Sequence, residues 1–287
     1  MTSTIAAHSS EPLDLPAGTP VVEFDRVSIT FDVKPVLENI SFSVERGQTL
    51  IILGPAGCGK SVLLKLANGL LGPDSGTIKI FGKEITTMPE RDLYALRAHI
   101  GMVFQESALF DSLDVADNVA YRLHEEHVPE DEVHTRVVEA LKFVELEQAI
   151  DKFPSELSGG MRRRVSIARA IISGPDLILY DSPIGGLDPI TSTTIIELVM
   201  KQRDVSHTTS LLVTHRLQDA FALATNRFDT ATGGMKPIPH ESGINGTGPG
   251  IDDGTKFLML NDGGVVFHGT TEELVHSEDP WIKAFLS

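Results

Sequence analysis

The chain has 287 residues, a formal net charge of −16 and a single cysteine. That length can bury a sizeable core and reads as one large domain with subdomains. The acidic balance disfavours a protein that coats nucleic acid or an anionic membrane surface, because both repel it at long range, and the lone Cys58 excludes an internal disulfide.

The opening stretch MTSTIAAHSSEPLDLPAGTP has neither the basic flank nor the long apolar run of a secretory signal, and no later run approaches the roughly 18 apolar residues that span a bilayer. A cytosolic chain with a loose tail over residues 1–20 is expected. From Val21 the alternating segments VVEFDRVSITF and ENISFSV predict antiparallel strands joined through the turn-prone DVKP. TLIIL at 49–53 is a continuous apolar run, as in a strand buried on both faces. GPAGCGKS follows at once, and then VLLKLANGLL, whose leucines recur at helical spacing until Gly72 and Pro73.

From Pro89 the pattern is mostly helical, with charged faces such as PEDEVHTRVVEALKFVE and breaks at Pro129 and Pro154, and it predicts a helical subdomain over about residues 89–165. DLILYD at 176–181 and TSLLVTH at 209–215 supply two more buried strands that alternate with helices. The fold class is therefore α/β, a largely parallel core with right-handed crossovers, an N-terminal antiparallel β subdomain and an inserted helical subdomain. Residues 229–255 are rich in glycine, proline and polar side chains and are expected to form a flexible surface insertion. KFLMLNDGGVVFHG then reads as a hairpin, followed by two short helical stretches.

The run Gly54, Pro55, Ala56, Gly57, Cys58, Gly59, Lys60, Ser61 matches G-x-x-x-x-G-K-[ST], the loop whose backbone N–H groups wrap phosphates at a helix N-terminus. Lys60 would neutralise phosphate charge and the Ser61 hydroxyl would hold Mg²⁺, with Val62 beside them in the first helical turn. Asp181 ends the strand DLILYD, where a carboxylate can reach the same metal.

These two motifs describe a P-loop NTPase. LSGGMRRR at 157–164 narrows the reading, since it resembles the LSGGQ signature of the ABC (ATP-binding cassette) ATPases. That resemblance implies that Ser158, Gly159 and Gly160 of one chain face the γ-phosphate held by a second chain, so that ATP drives homodimerisation. It further implies that Gln105 in GMVFQE contacts Mg²⁺ or the attacking water, that Asp188 belongs to a loop crossing the dimer, and that His215 senses the γ-phosphate. Phe31 is the candidate for stacking on adenine, with a strand-core phenylalanine as the competing reading.

The chain departs from the family at Ser182, where a glutamate normally follows the strand-end aspartate. A serine hydroxyl is a poor base near neutral pH, and general-base assistance is worth about 10²- to 10⁴-fold, so slow hydrolysis is expected beside intact ATP binding. FQESALFDSLDVADNVAYRL, LSGGMRRRVSIARAI and GLDPITS look like the ATPases of Mla/MCE phospholipid-transport systems. The implied partners are a second copy, integral-membrane permease subunits and an MCE-domain lipid carrier, with no nucleic acid, at the cytoplasmic face of a bacterial inner membrane. The alternatives are a non-hydrolysing nucleotide switch and an ABC importer ATPase for another substrate.

Overall fold

The computed structural model describes residues 15–239 and 250–287. Strands β1 (Val22–Phe31) and β2 (Lys34–Val44) run antiparallel, with Phe31 opposite Lys34 and Asp32 turning the chain at φ +56°. β3 (Thr49–Leu53) is buried along its whole length and leads into helix α1 (Lys60–Ala67). β4 (Ser75–Ile80) and β5 (Lys83–Glu84) complete an antiparallel sheet ordered β2-β1-β4-β5.

Helix α2 (Glu90–Arg97) and strand β6 (Ile100–Val103) precede three helices, α3 (Val115–Glu125), α4 (Glu130–Phe143) and α5 (Gly159–Ile171). Then come β7 (Leu177–Asp181), α6 (Pro189–Ser206), β8 (Thr209–Val213) and α7 (Leu217–Thr225). A hairpin of β9 (Asn226–Asp229) and β10 (Gly234–Pro237) follows. The chain closes with β11 (Thr255–Asn261), β12 (Gly264–Thr270), α8 (Thr271–Val275) and α9 (Pro280–Leu286).

The main sheet is ordered β12-β11-β3-β8-β7-β6, parallel throughout except for the antiparallel edge strand β12. Side chains alternate across it, as the period of two requires. Ile51, Leu53, Ile178, Tyr180 and Leu212 enter a core formed with α3 to α7, whereas Leu50, Ile52, Leu179, Leu211 and Val213 enter a second core formed with α1, α2 and the antiparallel sheet. Because both faces are covered, β3, β7 and β8 carry no polar alternation.

Three expectations need correction. The block at 89–165 is not wholly helical: β6 lies inside it and pairs with β7 as an edge of the main sheet, while α2 packs Leu93 and Leu96 into the second core. The four-residue segment IGMV is too short to show a strand period. The tail is packed as far back as Leu15, a lone leucine that touches the second core; residues 1–14 lie outside the described residues. The glycine-rich insertion is anchored at both ends. β10 pairs with β9, the Gly250 N–H donates to the Ile238 carbonyl (2.8 Å), and the Asp252 N–H donates to that of Ala224 (2.8 Å). Its centre, 240–249, lies outside the described residues.

Candidate functional site

In a parallel sheet the loops leaving the carboxyl ends of neighbouring strands converge, and this is where ligands bind in such folds. Here β3 releases the glycine loop, β7 ends on Asp181, β8 is followed two residues later by His215, and β6 two residues later by Gln105. The adjacency β3-β8-β7-β6 therefore brings four segments, far apart in sequence, to one edge.

The glycine loop has a backbone that side chains resist. Gly59 is left-handed at φ +99°, and a Cβ there would stand 2.5 Å from Leu37 Cδ2 and 3.0 Å from the Val36 carbonyl. Lys60 Nζ donates to the carbonyls of Gly54 (2.8 Å) and Pro55 (2.7 Å), with the buried Cys58 Sγ at 3.8 Å. The ammonium thus spans the mouth of the loop.

The Ser61 hydroxyl donates to Asp181 Oδ1 at 2.9 Å. Asp181 is 8% exposed. A hydroxyl and a carboxylate oxygen brought together in this way are the hard donors that Mg²⁺ takes, so these residues fit a magnesium ion. Beside them opens a cavity of about 410 Å³ lined by Phe31, Val36, Ala56, Gly57, Gly59, Lys60, Ser61, Val62, Gln105, Ser182, Val213 and His215. Phe31 is 43% exposed, so its ring is not core packing.

Ser182 has left-handed backbone, φ +48°. Its N–H donates to the Val213 carbonyl (3.1 Å) and its carbonyl accepts from the Gly185 N–H (2.9 Å), which fixes a tight turn after Asp181. Ser158, Gly159, Gly160 and Asp188 do not line the cavity. Ser158 caps α5, its hydroxyl accepting from the Met161 N–H at 3.2 Å, so the positive end of that helix is exposed beside a hydroxyl. Gly160 lies against Thr191, and Thr191 donates to the exposed Asp188, which caps α6. Those hydrogen bonds hold the Asp188 carboxyl below the usual range.

Sequence reasoning missed the arginines behind the site. Arg163 is 5% exposed, and donates to the Phe104 carbonyl at 2.7 Å and the Gly185 carbonyl at 3.4 Å. Burial lowers its pKa, with Glu106 and Asp181 pulling it back up. Arg169 donates to the carbonyls of Ala108 (2.7 Å) and Ser107 (2.9 Å), both left-handed residues. A signal existed: Arg163, Ser166, Ile167, Ala170 and Ile171 form one buried stripe of α5 at helical spacing. Val36, which faces the cavity beside Phe31, had no such signal.

The family model described as "ABC transporter" matches residues 37–185, more than half of the chain. Over 267 residues, 93% of the chain, it is 34% identical to the intermembrane phospholipid transport system ATP-binding protein MlaF of Escherichia coli K12 and 32% identical to that of Haemophilus influenzae, covering 88% and 90% of those proteins. It is 41% identical to a methionine import ATP-binding protein, MetN 2 of Bacillus cereus, over 69% of the chain and 59% of that protein. Among solved structures, a dimeric bacterial ABC transporter cassette is similar at 27% identity and a TM-score of 0.72, over 87% of this chain and 98% of that one. A dimeric post-hydrolysis state of a cassette bound to ADP and Pi gives the same identity and coverage with a TM-score of 0.71.

Proposed function

This chain belongs to the ABC transporter family, and on that premise we propose that it is the ATP-hydrolysing subunit of a bacterial phospholipid transport system, working as a homodimer beneath an integral-membrane permease. The observation that carries the ATPase reading is the meeting of Lys60, Ser61 and Asp181 at the carboxyl edge of a parallel sheet, beside a cavity of about 410 Å³. Phospholipid is favoured over methionine because the likeness to the phospholipid ATPases runs over 93% of the chain, against 69% for the methionine importer.

In this reading the loop amides and Lys60 hold the phosphates, and Lys60 exchanges its bonds to Gly54 and Pro55 for phosphate oxygens. Ser61 and Asp181, with Gln105, hold Mg²⁺. That ion, when bound, neutralises phosphate charge. Phe31 stacks on adenine, while Gln105 and His215 face the terminal phosphate from the adjoining strands. Ser158 and Gly160 complete the site of the second copy, as their exposed helix start allows, and Asp188 lies at the same contact.

No helix of the described residues is long and apolar enough to cross a membrane, and in this reading the chain meets the membrane through the permease. A surface suited to that partner is offered by α2, α3 and the segment that follows Gln105. Phe110 and Tyr121 pack as a tilted pair with ring centroids 4.7 Å apart and Arg122 covers Tyr94, all three aromatic residues being at least 42% exposed. An MCE-domain lipid carrier belongs to the far side of such a complex, and the acidic charge of −16 leaves nucleic acid out of the partner set. The chain thereby sits at the cytoplasmic face of the inner membrane.

Ser182 favours a second reading, a nucleotide switch that binds ATP and dimerises without hydrolysing it. The test of the transport reading is reconstitution with the permease in vesicles carrying labelled phospholipid. ATP-dependent lipid transfer by the wild type, lost in Lys60→Ala, is expected; transfer that ignores ATP, or none alongside normal ATP turnover, overturns the lipid assignment.

A further inference from the structure

We infer that Arg163 is a positioning residue for the hydrolytic step, tying the segment that carries Gln105 to the turn that carries Ser182. The inference rests on the ATPase reading above. Arg163 heads the buried stripe of α5, where an apolar side chain would pack at no electrostatic cost. Its Nη1 donates to the carbonyl of Phe104, the residue before Gln105, at 2.7 Å. Its Nη2 donates at 3.4 Å to the carbonyl of Gly185, whose own N–H closes the Ser182 turn at 2.9 Å.

One planar fork therefore spans two segments on neighbouring strands β6 and β7, a geometry that Lys or Gln cannot reproduce. The far side of the Gln105 loop is gripped from the same helix by Arg169, through the carbonyls of Ser107 and Ala108. These two residues hold left-handed backbone at φ +64° and +47°, a conformation that persists only where its surroundings impose it. The loop bearing Gln105 is thus bracketed by guanidiniums of the helix whose exposed start carries Ser158 and Gly160. A displacement of α5 is transmitted through them to Gln105 and to the Ser182 turn.

The experiment compares wild type, Arg163→Gln and Arg163→Lys with Arg164→Met, a control whose guanidinium donates instead to the carbonyls of Val144 and Glu145. ATP affinity, kcat, thermal midpoint and backbone hydrogen exchange are read together. Arg163→Gln is expected to leave ATP affinity near wild type and to lower kcat by about 10²-fold, the effect of roughly 1 Å of misplacement. Exchange at 104–108 and 182–186 should speed up by about tenfold, with the rest of α5 unchanged. Arg163→Lys should recover part of both effects, and Arg164→Met should show neither. Equal exchange in Arg163→Gln and Arg164→Met, or affinity and kcat falling together with the thermal midpoint, overturns the inference. A Gln variant that does not fold leaves the Lys variant to decide on the same readouts. Should wild type not outpace Lys60→Ala, the hydrolysis reading fails, and the exchange comparison still decides the role of Arg163.

Discussion

Alanine at Gly59 and at Gly57 should cost different amounts, and the difference measures how tightly the glycine loop is built against the β1–β2 hairpin. Both positions are left-handed, at φ +99° and +79°, so each alanine bears backbone strain of about 1–2 kcal/mol. At Gly57 nothing lies within 4 Å of the added carbon. At Gly59 the new Cβ would stand 2.5 Å from Leu37 Cδ2, and Leu37 is fully buried and cannot yield freely. Overpacking of that kind adds roughly 1–3 kcal/mol, which places Gly57→Ala at about 1–2 kcal/mol and Gly59→Ala at about 2–5 kcal/mol. Urea denaturation at unchanged m reads both losses. ATP binding should fail first in Gly59→Ala, because Lys60 follows directly. Equal destabilisation of the two variants, within about 0.5 kcal/mol, would refute the packing argument.

Arg203 is 5% exposed, pairs with Asp204 (2.7 Å) and Asp252 (3.5 Å), and donates to the Asn226 carbonyl (2.8 Å). Arg203→Met should therefore lower stability by about 3–5 kcal/mol in denaturant titrations, because the half-buried Asp204 loses its cationic partner while Asp252 keeps only the longer pair to Arg227. His268 has its pKa depressed by burial and by Lys256, with Glu273 opposing. The unfolded chain then takes up a proton more readily than the folded one as pH falls through 6.5 toward the folded pKa, so stability is lost over that window. His268→Gln should flatten the loss, checked by comparing denaturation midpoints above and below pH 6.5. Phe31→Ala should weaken ATP binding by roughly 2- to 10-fold and spare inorganic triphosphate, if the exposed ring stacks on the base; calorimetry separates the two ligands.

The layers of the fold were legible wherever a segment carries a complete period. β3, β7 and β8 are five-residue runs buried throughout, and their apolar continuity marks them without any partner in view. β6 was not legible. Its four residues include Gly101, where a Cβ would stand 2.5 Å from the Ala170 carbonyl of α5, so its place depends on a close approach between residues 69 positions apart. The β9–β10 hairpin escaped notice for a related reason. GMKP has weak strand propensity, and it is held by pairing with β9 and by the packing of Met235 on the core.

The site divides in the same way. Lys60, Ser61 and Asp181 sit in local motifs whose spacing has chemical meaning; Ser61 meets Asp181 at hydrogen-bond distance, and Lys60 turns back onto the Gly54 and Pro55 carbonyls of its own loop. Arg163 and Arg169 act through carbonyls of residues 22 to 62 positions away, and a pairing with backbone leaves no trace in side-chain identity. The run of three arginines at 162–164 reads as a solvated face until α5 is wrapped, when Arg163 turns inward and Arg162 outward.

In the proposed function this chain binds ATP through Lys60 and hydrolyses it despite Ser182. Steady-state hydrolysis and ATP affinity of wild type, Lys60→Ala and Ser182→Glu, each reconstituted with the permease, test it most directly. Wild-type turnover well above Lys60→Ala is expected, with a gain in Ser182→Glu of up to about 10²-fold. A wild type that binds ATP and yet turns over no faster than Lys60→Ala, while Ser182→Glu gains activity, contradicts the motor and establishes the switch.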